Sequence, residues 1–126
     1  MLITAGFAEI GAEDKALQDK VVAIAREGGI RFVGPNCMGL WSAIGNLNLC
    51  FYRKPDAGAI AFVSQSGTYG THLSEQANAR GYGLSKFISI GNQADITAAE
   101  YLDYLAHDED TKVIVFYMEG LKDGRR

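Results

Sequence analysis

Residues 59 to 73 read AIAFVSQSGTYGTHL, a buried strand that runs through a loop of small residues straight into a helix. Such a loop leaves backbone N–H groups without an intrahelical acceptor, at the end of the helix where the macrodipole is positive. Ser64 and Ser66 add hydroxyl donors, and Gly67 lets a ligand approach the backbone. The combination suits a phosphate or another anion. Two readings of Ser66 stand side by side: a group that faces the anion, or the N-cap of the helix. The segment is neither a Walker loop nor G-x-G-x-x-G, so it points to an anion without saying which.

Three other places carry reactive residue types. Glu119 follows the apolar run Lys112 to Met118 and lies just past a strand's carboxyl end, where a carboxylate taken alone is solvated. Gly34 to Gly39 reads GPNCMG, but no histidine is near Cys37 in sequence to activate it, and it reads as a small packing residue. His72 falls within a helix and His107 at the end of the next, and both read as structural or exposed. Cys37 and Cys50 are too few for a disulfide framework and too isolated for zinc, so no metal site is read and a reducing cytoplasm fits best.

The elements that position these residues follow from periodicity. Met1 to Ala5 is apolar and reads as a buried strand, which needs neighbours on both sides. Ala12 to Glu27 reads as a helix with Leu17, Val21, Ile24 and Ala25 on one stripe, closed by Gly28-Gly29. Ile30 to Val33 is the next strand. Residues 34 to 55 are irregular, with a possible edge strand at Leu47 to Tyr52. A second unit then runs strand, helix, strand, helix, strand: Ala59 to Val63, Thr68 to Arg80 (with Tyr69, Leu73 and Ala77 at four-residue spacing), Leu84 to Ile90, Thr97 to His107, and Lys112 to Met118. Thr97 and Glu100 form a T-x-x-E capping box, with Tyr101, Leu102 and Leu105 as the buried face. Strands separated by helices of this length imply an α/β fold with a parallel sheet and right-handed crossovers.

Composition excludes several classes. The net charge of −3 with no long basic run gives no electrostatic footprint for nucleic acid. No apolar run approaches the ~20 residues that cross a bilayer, and the acidic, non-basic start is not a signal peptide. The fifteen glycines sit mostly at element ends, as tight α/β turns require.

The segments ITAGFAEIG, GPNCMG, GAIAFVSQSGTYG, SKFISIGNQADI and LAHDEDTKVIVFYMEGLKDGRR, in this order, resemble the NDP-forming acyl-CoA synthetases, of the ADP-forming acetate–CoA ligase and succinyl-CoA synthetase alpha-subunit type. The resemblance covers nearly the whole chain. It implies that residues 1–45 are the close of a Rossmann-like CoA-binding domain and 46–126 the start of a flavodoxin-like ligase domain. It implies an acid–thiol ligase that interconverts acyl-CoA, ADP and phosphate with a carboxylate, CoA and ATP, through an acyl phosphate and a phosphohistidine. Coenzyme A, ATP or ADP, and Mg would be its cofactors, and an ATP-grasp subunit or domain its partner. The helix opening at Ser66-Gly67 then holds the phosphoryl group, and Glu119 matches the glutamate that orients the active histidine. Pro35, Asn36 and Cys37 match the segment bordering the place where the CoA thiol meets the acyl phosphate, with Asn36 a donor to an acyl or phosphoryl oxygen.

The match also has a gap. The phosphorylated histidine of such enzymes matches neither His72 nor His107, and the glycine-rich CoA-binding start and the ATP-grasp part have no counterpart here. The expectation is therefore half an active site, inactive alone, with bare apolar edges at Ile3 and Ile30 to Val33 that a second copy of the chain would cover. A non-catalytic module that binds CoA or an anion, serving regulation, is the alternative.

Overall fold

The computed structural model describes residues 1–50, 53–121 and 124–125. Among them three helices and five strands follow one another: α1 (Ala12–Glu27), β1 (Leu40–Ser42), β2 (Leu47–Asn48), β3 (Ala57–Ser64), α2 (Gly67–Ala79), β4 (Leu84–Ser89), α3 (Ala98–Ala106) and β5 (Val113–Tyr117). The strands form one sheet in the order β2-β1-β4-β3-β5. β3 lies between β4 and β5 and is parallel to both, as the alternation of strands and helices implied. The β1–β2 hairpin adds an antiparallel edge, with Leu40, Trp41 and Ser42 opposite Ile88, Phe87 and Lys86. The expected division at 45/46 falls inside this hairpin. The expected edge strand is shorter than Leu47 to Tyr52: β2 is two residues long, and Phe51 and Tyr52 lie outside the described residues.

Side chains alternate across the sheet and build a core on each face. Ala61, Val63, Ile88 and Ile90 pack with Val33, Cys37, Tyr101 and Leu105 on one side. Phe62, Phe87, Leu84 and Trp41 pack with Leu73 and Tyr117 on the other. Every residue of β4 is buried, so this strand is central rather than half-exposed.

α2 approaches the sheet through small residues. A side chain at Gly70 would begin 2.7 Å from Ser64 Cβ and 2.9 Å from a Phe87 ring carbon. Ser74 is buried one turn on, donating its hydroxyl to the Gly70 carbonyl at 2.8 Å. Leu73 and Ala77 are half-buried, while Tyr69, in the helix's first turn, is exposed with its ring 4.3 Å from that of Tyr117. In α3 the capping box forms, with Glu100 accepting from the Thr97 N–H at 2.9 Å and from its hydroxyl at 3.0 Å. Tyr101 and Leu105 are buried as expected, but Leu102 is exposed, since one helical residue beyond Tyr101 turns it by ~100° away from the sheet.

The amino-terminal third departs most from expectation. α1 has the expected bounds, yet Leu17 and Ile24 are exposed and the only buried residue of the helix is Gln18. Neither 1–5 nor 30–33 forms a strand. Leu2 N–H donates to the Val33 carbonyl at 2.8 Å and Asn36 N–H to the Thr4 carbonyl at 3.0 Å. Between these bonds the Leu2 carbonyl lies against Gly34, next to Pro35, which has no N–H, and the Cys37 thiol takes that carbonyl instead at 3.2 Å. Two backbone bonds without further neighbours do not make a ladder.

Asp95 ties this third to the rest. It is 2% exposed and accepts from Arg31 Nε at 2.9 Å, Arg26 Nε at 3.2 Å and the Phe32 N–H at 2.9 Å. Burial works against the charged carboxylate, but the Phe32 N–H and the two guanidinium groups outweigh it and hold the carboxyl below its usual range.

Candidate functional site

The carboxyl ends of β3, β4 and β5 are level, with Ser64 opposite Ser89 on one side and Tyr117 on the other. Open parallel sheets bind ligands outside such strand ends. Here the chain leaving β3 turns at once into α2. Ser64 is fully buried and its hydroxyl donates to the Ser66 carbonyl at 2.6 Å, which fastens the turn. Ser66 caps the helix, its Oγ accepting from the Tyr69 N–H at 3.2 Å. That satisfies one of the first four N–H groups and leaves those of Ser66, Gly67 and Thr68 outside the helix's own ladder. The cap uses the Ser66 oxygen as an acceptor, so its hydroxyl hydrogen remains a donor and the two readings of Ser66 are compatible.

Gly67 has a packing reason as well. A side chain there would begin 2.0 Å from Met38 Cγ, so glycine makes room for the GPNCMG loop. That loop is fastened to the end of β4 as well. Met38 N–H donates to Ser89 Oγ at 2.9 Å, and Ser89 N–H donates to the Gly39 carbonyl at 3.0 Å. The next turn locks onto it: Asn92 N–H donates to the Pro35 carbonyl at 2.9 Å and Ala94 N–H to the Gly34 carbonyl at 3.0 Å. Gly91 sits in the left-handed region at φ +54, and a Cβ there would lie 2.1 Å from the Pro35 carbonyl oxygen.

Glu119 is brought to this loop by a side chain that sequence reasoning passed over. Gln65 Oε1 accepts from the Glu119 N–H at 2.9 Å and the Gly120 N–H at 3.2 Å. The Gln65 backbone N–H donates to the Tyr117 carbonyl at 2.9 Å, and the Tyr69 and Tyr117 rings lie 4.3 Å apart. Ser64, Ser66, Gly67 and Glu119 therefore share one end of the sheet, with Glu119 exposed to solvent there.

Pro35 and Cys37 are buried under the loop while Asn36 is exposed at φ +56. Burial pushes the Cys37 thiol up, which keeps it protonated and fits packing rather than nucleophilic attack. The Asn36 carboxamide donates to Asn92 Oδ1 at 3.4 Å. Asn92 in turn donates to Glu9 and, at 3.0 Å, to Gln18 Oε1. Burial works against the Glu9 carboxylate, yet the Asn92 amide and the Gly6 and Phe7 N–H groups hold its pKa at about 2. Asn92 belongs to the quoted GNQAD segment, but its partners are 56 to 83 residues away and no local pattern reveals them.

The two histidines stand apart. His72 is exposed on α2, and His107 ends α3, bonding the Asp103 carbonyl at 2.8 Å where the chain leads back to the start of β5. Among the described residues no three His, Cys, Asp or Glu side chains converge on a metal-sized space. No helix among them is long and apolar enough to cross a membrane.

Residues 57–126, from β3 onward, match the family model of the succinyl-CoA ligase like flavodoxin domain. The chain belongs to that family. A succinyl-CoA-ligase-like domain thus contains both the SQSG turn and Glu119. The whole chain is 44% identical over 126 residues to acetate–CoA ligase [ADP-forming] II subunit alpha of Pyrococcus furiosus, covering 28% of that protein. It is 38% identical to 4-hydroxybutyrate–CoA ligase [ADP-forming] of Nitrosopumilus maritimus, with 99% of the chain aligned to 18% of the relative. An acetyl-coenzyme A synthetase 1 from Ca. Korarchaeum cryptofilum, solved with phosphate and ADP, superposes with a TM-score of 0.93 at 37% identity, over 98% of this chain and 26% of that one. The chain thus spans between 18% and 28% of the length of these relatives.

Proposed function

We propose that this chain supplies the phosphoryl-facing strand ends of an ADP-forming acyl-CoA ligase, an acid–thiol ligase. The reaction interconverts acyl-CoA, ADP and phosphate with a carboxylate, CoA and ATP through an acyl phosphate and a phosphohistidine. The observation that carries the reading is the open amino terminus of α2, with a carboxylate-bearing turn fastened beside it by Gln65. Three N–H groups and the Ser66 hydroxyl offer an anion partial positive charge at no cost of reorganisation. Glu119 would orient an imidazole brought from a further part of the enzyme, an ATP-grasp subunit or domain supplying the nucleotide. Asn36, at the edge of the CoA side, would donate to the acyl or phosphoryl oxygen, with Pro35 and Cys37 shaping that border. Residues 1–45 close the CoA-binding domain in this reading.

The apolar residues left on the amino-terminal third, Met1, Ile24 and Ile30 among them, form a surface on which a second copy of the chain packs. A stable monomer in sedimentation analysis refutes that packing.

The functional reading is tested by melting the chain with inorganic phosphate and, separately, with CoA. Stabilisation by phosphate that shrinks in Ser66→Ala, judged as the change each protein shows on adding phosphate, supports the ligase reading. Stabilisation by CoA alone supports a non-catalytic regulatory module. No response to either refutes the proposed site.

A further inference from the structure

Past Tyr117 the pairing of β5 with β3 ends, and the N–H groups of Glu119 and Gly120 both go to one side-chain oxygen. That oxygen belongs to Gln65, which sits between the two serines of the anion-facing turn. Two backbone donors settle which way the carboxamide faces, because only its oxygen accepts. The backbone of Gln65 is itself held, through its N–H on the Tyr117 carbonyl at 2.9 Å and through Ser64 and Ser66 on either side. A rigid turn therefore reaches across with a forked bond to a segment that lies beyond the strand ladder.

Resting on the ligase reading above, we propose that Gln65 is a positioning residue for Glu119, fixing the turn that carries the carboxylate beside the anion held by α2. Serine and glycine at 64, 66 and 67 explain the turn and the packing, but neither requires a carboxamide at 65. A methionine would fill the same volume. What methionine lacks is the acceptor. Glutamate at 65 keeps the acceptor and loses only the NH2, so it preserves the fork while adding a charge.

An anion bound at α2 changes the field at a carboxylate carried beside it. The test uses the 126-residue chain, uniformly 13C- and 15N-labelled, at neutral pH, following the Glu119 carboxyl signal with and without inorganic phosphate. Amide exchange at Glu119 and Gly120 is measured alongside. In the parent chain phosphate moves the Glu119 carboxyl signal. In Gln65→Met that movement falls by at least half, and the two amides exchange about fivefold faster or more, the factor for losing ~1 kcal/mol of hydrogen bonding. Gln65→Glu restores slow exchange at both amides, a rescue that a packing role would not produce.

Equal movement of the carboxyl signal and equal exchange in the parent and Gln65→Met overturn the inference. Faster exchange throughout the chain in Gln65→Met, rather than at 119 and 120, overturns it too, since that is global loosening. Phosphate that shifts the α2 amides of the parent while leaving Glu119 unmoved overturns this inference alone. Phosphate that shifts nothing overturns the ligase site as well.

Discussion

Replacing Asp95 by alanine removes the buried carboxylate that joins the amino-terminal third to the rest of the fold. The cost follows from its three partners. The Phe32 N–H is buried and loses its acceptor, which costs about 1–3 kcal/mol. Arg26 and Arg31 are more than half exposed, so water takes over their charge and each contact contributes no more than about 1 kcal/mol. The sum is about 1–5 kcal/mol, a large part of the ~5–15 kcal/mol of an ordinary domain. At roughly 4 °C per kcal/mol for a chain of this size, the melting temperature falls by about 4–20 °C. Asp95→Asn keeps an oxygen for Phe32 and loses only the charge, so it costs about 1–2 kcal/mol. The sign of the pH dependence is set by the lowered carboxyl. Its contribution is complete above the ordinary aspartate range and is lost as pH falls below that range toward the folded-state value. Urea unfolding of the three proteins at neutral and acid pH is the assay, and the curves of the parent and the Asp95→Asn variant should converge in acid. An alanine variant within about 0.5 kcal/mol of the parent, or an asparagine variant as costly as alanine, refutes the reasoning.

Three further perturbations bear on the site's frame. Gly70→Ala places a methyl 2.7 Å from Ser64 Cβ and 2.9 Å from the Phe87 ring, so α2 must lift from the sheet, at a cost of about 1–3 kcal/mol in denaturant unfolding. Gly91→Ala meets both a left-handed φ and the Pro35 carbonyl at 2.1 Å, and should lose at least about 2 kcal/mol, with disturbed amide signals in residues 34–39. Glu9, with its pKa held at about 2, contributes stability above about pH 4.5 that is lost as pH falls toward 2, and Glu9→Gln should remove that acid dependence. Comparing the two proteins' unfolding between pH 2 and 6 checks the sign.

Periodicity and end signals made much of the fold legible: the bounds of α1, the Thr97–Glu100 cap and the parallel order around β3 all lie in local patterns. Of the hairpin at Leu40–Asn48 only the edge strand starting at Leu47 was legible; β1 was not, because a strand of three residues carries no alternation to read and takes its register from β4. The stripe on α1 is a true helical period, but a period states which residues could be buried, and the described residues supply nothing to bury Leu17 and Ile24. Within the site, the small-residue turn and the cap were readable from Ser64 to Gly67. The roles of Gln65, Asn92 and Asp95 depend on contacts spanning 54 to 83 residues, which only the folded chain brings together. Gly67 shows the limit in one residue: the sequence points to a close approach there, and only the structure shows that Met38 packs against it.

The most direct measurement is a titration of the 15N-labelled chain with inorganic phosphate, read residue by residue. If α2 opens an anion site beside Glu119, the Ser66, Gly67 and Thr68 amides shift together and saturably, the Glu119 and Gly120 amides follow, and signals at His107 and along α1 stay in place. Shifts scattered over the surface without saturation, or saturable shifts centred away from Ser66, contradict the account.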